Sequence, residues 1–210
     1  MIVRPTDESM LAAASAVFAD IGFHTATMED IATRAGTTKP TLYSHFGSKD
    51  DLYRHCGERA AETLGRRLSQ AYTSAEPTLE QQVRAGTLTL FGYATEHAAE
   101  FRLLFGADPV GTITVSRKRL MDAAAQEIAG RIRDFTDRHG SRRWGASAEL
   151  CATLIVGLTV EGARYALMTD SLDVASGAEF ASAFTVAALR NIDSGPAEEI
   201  DARHPGPESS

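Results

Sequence analysis

Apolar positions first fall into register at Met10, Leu11, Ala14, Val17, Phe18 and Ile21. These spacings of three and four predict a helix with one buried stripe. Gly22 follows it, the residue that best tolerates a left-handed stop. The next stretch, Thr27-Met28-Glu29-Asp30, sets a threonine three positions before an acid and just ahead of Ile31-Ala32. That is the pattern of a capping box, with Asp in place of the usual Glu or Gln, and Gly36 limits the helix to about Ala35. A third helix fits 39–44, with Thr38 as its cap, Pro40 in its first turn and Gly47 as its break. Ser48-Lys49-Asp50-Asp51 then opens a longer helix through Leu52, Cys56, Leu64, Leu68 and Tyr72. Three helices, two of them very short, fill about fifty residues. Helices that short do not stand alone in water, so they must pack as one unit.

Beyond Pro77 the helical periods lengthen, to 78–95, a short 97–106, then 109–139, 146–169 and 175–192. Residues 150–160 are apolar almost all round, which predicts burial on two sides, against the chain's own core and against something else. The last period carries Phe180, Phe184, Ala187 and Ala188 on one face. Together with Val156, Val160 and Leu167 these are the expected contacts of a helical homodimer. The expected organisation is a domain over 1–55, a larger helical domain over 56–192, and a disordered tail over 193–210 that contains Pro196, Pro205, Gly206 and Pro207.

Composition agrees with an all-α fold. The 210 residues include 34 alanines against 17 glycines and 7 prolines, and alanine is the strongest helix former. The net charge of −7 argues against a surface coated with positive charge for general binding to polyanions. Cys56 and Cys151 lie far apart, and no Cys/His cluster has metal-ligand spacing, so no metal and no cofactor are expected and a reducing cytoplasm is the expected setting. The uncharged runs 85–95 and 150–160 fall well short of the ~20 residues of a membrane helix. Asp7 and Glu8 precede the apolar stretch 10–19, where a secretion signal wants positive charge.

The stretch from Ile31 to Phe46 has the logic of a helix-turn-helix. Small Ala32 and Ala35 permit close crossing, Gly36 turns the chain, and Leu42 packs the second helix back. Thr37, Thr38, Lys39, Thr41, Tyr43 and His45 are left facing outward, a set of hydrogen-bonding groups and a cation suited to bases and phosphates. From Thr27 to Leu52 the chain reads T-M-E-D-I-A-T-R-A-G-T-T-K-P-T-L-Y-S-H-F-G-S-K-D-D-L. This segment resembles the DNA-binding domain of the TetR family of transcriptional regulators, closely over about residues 8–55. F-R-L-L-F-G at 101–106 looks like the family's short sixth helix.

The resemblance implies an all-helical homodimer on a palindromic double-stranded operator, usually a repressor released by a small-molecule effector. It places Thr38, Lys39 and Thr41 at bases, and Tyr43, His45 and Lys49 at phosphates. Thr27 caps the second helix, whose N-terminal N–H groups face a phosphate. Thr37 departs from the family, which favours an apolar residue there. Over 31–49 there are three basic residues and no acids, while 61–210 sums to −5. The positive portion therefore sits on the motif.

For the effector, Leu64, Leu68, Phe91, Phe101, Leu104, Phe105, Met121, Trp144 and Tyr165 are candidate walls of an apolar pocket. Each of them serves equally as plain core. Solid packing there would favour another reading, a ligand-independent DNA-binding regulator controlled by a protein partner. The basic runs Arg117-Lys118-Arg119 and Arg142-Arg143 read as solvated helix ends, with an anionic ligand as the alternative. No GxSxG, Walker loop or HExxH occurs, so no catalytic residues are expected. Both cysteines read as buried thiols before redox triggers.

Overall fold

Threonine hydroxyls start each of the first three helices in the computed structural model, which describes residues 5–108, 110–138, 144–169, 172–191 and 194–204. Thr6 Oγ1 accepts from the Ser9 amide at 3.2 Å to open α1 (Asp7–Ile21). Thr27 and Asp30 form the anticipated reciprocal box at the start of α2 (Met28–Ala35), with amide bonds of 3.2 and 2.9 Å. Thr38 caps α3 (Lys39–Phe46), and a second reciprocal box, Ser48 with Asp51, precedes α4 (Lys49–Ser74). Gly36, at φ +63°, takes the left-handed conformation that ends α2 and lets α3 follow two residues later. The chain continues through α5 (Leu79–Glu96), α6 (Ala98–Phe105), α7 (Ile113–Arg138), α8 (Ala146–Met168), α9 (Val174–Asn191) and α10 (Ser194–Arg203). The described residues hold no strand, so the fold is all-α.

The chain divides into two compact units. One holds the chain up to Leu64 together with Tyr93–Leu120; the other holds Gly65–Gly92 and the chain from Met121 onward. This division differs from the expected boundary at 55/56, which falls inside α4. The reason is tertiary: α6 packs on α1 and draws 93–120 into the N-terminal unit. The core of that unit contains Met10, Phe18, Ile31, Leu42, Leu52, Cys56, Phe101 and Leu104, all under 6% exposed. Complete burial of each large apolar side chain contributes about 1.5–3 kcal/mol, which is how eight-residue helices persist. Burial pushes the Cys56 thiol up to about 12 and also raises that of Cys151, so neither is a ready thiolate near neutrality.

In the second unit α9 and α10 both pack on α8. By length and composition α8 could cross a membrane, but one of its faces is committed to the core through Ala152, Ile155, Val156, Val160 and Ala163. The segment from 193, expected to be disordered, contains α10 instead. Ala197 and Asp201, four residues apart, are buried, and the Asp201 carboxylate accepts from the Ser147 amide at 2.9 Å and its hydroxyl at 2.6 Å. Gly145, at the start of α8, has no side chain with which to cap it, so a carboxylate from a remote helix does so. Residues 205–210, with Pro205, Gly206 and Pro207, lie outside the described residues, as do Arg142 and Arg143. Asp201→Ala is expected to lower stability by about 1–3 kcal/mol. Thermal melting checks the loss, and faster hydrogen exchange at the Ser147 amide localises it.

Candidate nucleic-acid interface

The inward residues of α2 and α3 are Ile31, Ala32, Leu42 and Phe46, and their burial turns the opposite faces to solvent. Thr38, Lys39, Tyr43 and His45 are exposed on α3 or its cap, Thr41 and Thr37 are half-buried, and Thr27 is exposed at the start of α2. The first unit thus presents the expected DNA-contact set from α2, α3 and the first turn of α4. Pro40 and Ser44 are also exposed there. Ser44 was not among the expected contacts, although its spacing of three from Thr41 places it one turn further along the same helix. Pro40 has no N–H to donate and offers only apolar contact, as a thymine methyl would take.

Short-range partners orient this face. The Thr38 and Thr41 hydroxyls lie 2.9 Å apart. Lys39 Nζ is 3.6 Å from Glu29, Arg34 is 3.0 Å from Asp20, and His45 Nδ1 is 2.7 Å from Asp7. Acids absent from 31–49 are therefore supplied by α1 and by the first turn of α2. Such exposed pairs are worth under about 1 kcal/mol, so a phosphate can replace the carboxylate with little loss. Until then the carboxylates hold Lys39, Arg34 and His45 on this surface.

Lys49 differs from a free phosphate contact. Its ammonium donates to Phe23 O at 2.9 Å and Ala26 O at 3.0 Å, and sits 4.4 Å from the centre of the Phe23 ring. An ammonium carries three donor hydrogens, so one remains for a phosphate while two tie α4 to the turn between α1 and α2. Lys49→Ala is accordingly expected to lower stability by about 1–3 kcal/mol in addition to weakening DNA binding. A thermal melt of the variant without DNA checks this, since a pure phosphate contact would leave the melt unchanged.

Hydrogen bonds from Thr27 to Asp30, and from Ser48 to Asp51, hold both carboxyls below their ordinary value of 3.8. A depressed folded value means stability that is present above the unfolded value and lost as pH falls through the folded one. Acidification below the ordinary carboxylate range is therefore expected to loosen the starts of α2 and α4. The acid transition of Asp30→Asn, followed by circular dichroism, should be correspondingly shallower.

The second unit carries a contrasting surface. Leu150, Leu154, Leu158, Tyr165 and Met168 form an exposed stripe along α8, and on α9 Phe180 and Phe184 are 73% and 53% exposed. The two rings lie 6.4 Å apart. An open cleft of about 470 Å³ runs between α8 and α9, lined by Phe91, Leu158, Gly162, Tyr165, Phe180 and Phe184. Of the expected homodimer contacts, Phe180, Phe184, Ala187 and Ala188 are exposed and Leu167 is half-buried. Val156 and Val160 are corrected: both are buried within the chain, because that side of α8 faces its own core.

The expected pocket residues distribute between the units. Leu64, Phe101, Leu104 and Phe105 are core residues of the first. In the second, Leu68 lines a small cavity of about 20 Å³ with Tyr72 and Val156, whereas Phe91 and Tyr165 line the open cleft. Tyr165 is 61% exposed, and Met121 and Trp144 are half-buried.

Residues 10–56 match the family model described as "Bacterial regulatory proteins, tetR family". Over 169 residues the chain is 32% identical to the HTH-type transcriptional activator FasR of Mycolicibacterium smegmatis, covering 79% of this chain and 75% of that protein. A TetR-like transcriptional regulator from Rhodococcus sp. RHA1 has a similar fold, with a TM-score of 0.71 at 24% identity over 89% of this chain and 96% of that one. The regulator FadR from Bacillus subtilis, solved in complex with stearoyl-CoA, has a TM-score of 0.74 at 15% identity, with 87% and 98% covered.

Proposed function

Because the chain belongs to the TetR family of bacterial transcriptional regulators, we propose that it binds a palindromic operator as a homodimer and is released by a small, largely apolar ligand, as a repressor is. The outward face of α3 carries this reading, since it presents hydroxyls, a phenol and a lysine on a helix short enough to enter a major groove. Thr38, Lys39 and Thr41 meet bases, and Tyr43, His45, the α2 start at Thr27 and the third hydrogen of Lys49 meet phosphates. The apolar surfaces of α8 and α9 pair the two subunits, so that their recognition helices reach half-sites about 34–36 Å apart or a multiple of that. The protein works in the cytoplasm, by binding and without catalysis.

The acyl-CoA of the B. subtilis structure makes long-chain acyl thioesters the first ligands to try. α4 is one continuous helix, with Lys49 in the first unit and Leu68 and Tyr72 in the second, so a ligand in the second unit can bear on the operator-binding end. By linkage, operator must then weaken the ligand by the factor by which the ligand weakens operator. The test is a footprint on DNA flanking the protein's own gene, repeated with stearoyl-CoA and shorter acyl-CoAs. A protected palindrome that opens on ligand addition supports the reading. A ligand whose affinity ignores saturating operator would overturn the release mechanism for that ligand. The name of the M. smegmatis relative favours a second reading, in which the bound dimer activates; transcription in vitro from the footprinted promoter separates the two.

A further inference from the structure

A second cleft, of about 390 Å³, lies wholly within the first unit, where the turn after α1 meets α4 and α6. Three aromatic side chains line it and touch one another. Phe18 and Phe23 have ring centres 5.8 Å apart, Phe23 and Tyr53 4.8 Å, and Phe18 and Tyr53 5.1 Å in an edge-to-face arrangement. Leu103 adds an aliphatic wall. Tyr53, which carries a phenolic hydroxyl, is only 3% exposed. Burial pushes that hydroxyl up to about 12.

Two cationic or potentially cationic side chains, Arg102 and His24, also line the cleft, and both are exposed. Arg102 has no carboxylate partner among the described residues; Glu100, two positions earlier, is 3.9 Å from His97. The nearby Asp108 carboxylate is taken up by the Thr114 hydroxyl and amide and by the Gly111 amide. An unpaired guanidinium beside the edges of apolar side chains is suited to a carboxylate that carries an apolar ring.

We propose that this cleft is a small-molecule site of the first unit for an aryl-bearing carboxylate, with the ring on Phe18, Phe23 and Tyr53 and the carboxylate on Arg102. It is separate from the apolar effector proposed above and does not depend on it. The ligand would rest on Phe23, whose carbonyl and ring also hold the Lys49 ammonium. It therefore bears on the turn that leads into α2 without passing through the second unit.

The test is calorimetric titration of the full chain with 3-phenylpropionate and with its neutral amide. The acid is expected to bind at least about tenfold more tightly than the amide, the discrimination expected of a charge-assisted contact. Arg102→Gln should remove about tenfold from the acid and leave the amide unchanged, a selectivity that a merely structural arginine would not produce. Ala107→Trp, at an exposed position on the cleft wall, should fill it and abolish binding of both while leaving the melting temperature unchanged. Absence of binding by the acid at millimolar concentration, equal affinity for acid and amide, an acid affinity unaltered by Arg102→Gln, or binding that survives Ala107→Trp would each overturn the proposal.

Discussion

If the α8–α9 surfaces pair two subunits as proposed, a chain carrying both Phe180→Asp and Phe184→Asp is expected to remain a monomer at concentrations where the unaltered protein dimerises. Both rings are mostly exposed in the single chain, so their replacement costs its internal packing little. In a symmetric pair of α8–α9 surfaces they would be buried, each contributing about 1.5–3 kcal/mol on full burial. The change replaces four rings per dimer with four carboxylates, and each unpaired buried charge costs several kcal/mol. The dimer dissociation constant should therefore rise by at least about a thousandfold. Operator affinity should fall with it, because two linked heads lose the gain of binding both half-sites at once. Sedimentation measures the first effect and a mobility shift the second, with circular dichroism reporting retained helix. Val156→Ala makes the contrast: Val156 lines the small internal cavity, so the variant should melt earlier and remain a dimer. A stable dimer of the double aspartate variant would show that the subunits pair elsewhere.

On α3, Thr41→Ala and Lys39→Ala are expected to change which operator variants are preferred, whereas Tyr43→Ala should weaken all of them alike. A hydroxyl read against a base edge is worth about 1–3 kcal/mol at one base pair and nothing at others. Thr41 is half-buried and its hydroxyl is 2.9 Å from that of Thr38, so its position is constrained as a base-reading group's must be. Thr38 Oγ1 would still accept the residue-41 amide in the alanine variant, which preserves the helix cap. Lys39 is a compact charge on the surface; its loss should reduce the slope of log affinity against log salt by about one ion. Tyr43 is half exposed, so its truncation should cost DNA affinity with little change in stability. Titrations of a randomised half-site panel at two salt concentrations separate these effects. Equal losses across the panel for all three variants would remove Thr41 and Lys39 from base reading.

The legible and illegible parts of this chain divide by the range of the forces involved. Capping bonds span three residues, so Thr27 with Asp30 and Ser48 with Asp51 could be read directly from spacing, and with them the starts of α2 and α4. The helix-turn-helix followed for the same reason: Ala32, Gly36 and Leu42 act on neighbours within a few positions. A segment apolar all round, such as 150–160, has no preferred side in isolation. Val156, an expected interface residue, and Leu158, two positions on, are equally apolar; packing turned one to the core and the other to solvent.

The tail shows the same limit. Pro196, with Ser194 and Gly195 before it, reads locally as a break, and α10 is tied to α8 by Asp201 and Ser147, 54 positions apart. Lys49 was assigned from a local resemblance, whereas its bonds to Phe23 and Ala26 require the turn after α1 to fold back over α4. By itself, then, the amino-acid order determined the all-helical class, the DNA-facing motif and the partition of charge between motif and body, because each rests on contacts within one or two helical turns. Tertiary structure alone decided which face of α8 is outward, where the compact units divide, what caps α8, and that Phe18, Phe23, Tyr53 and Arg102 share one cleft. Those outcomes depend on burial against residues far away in the chain, and no local pattern encodes that energy.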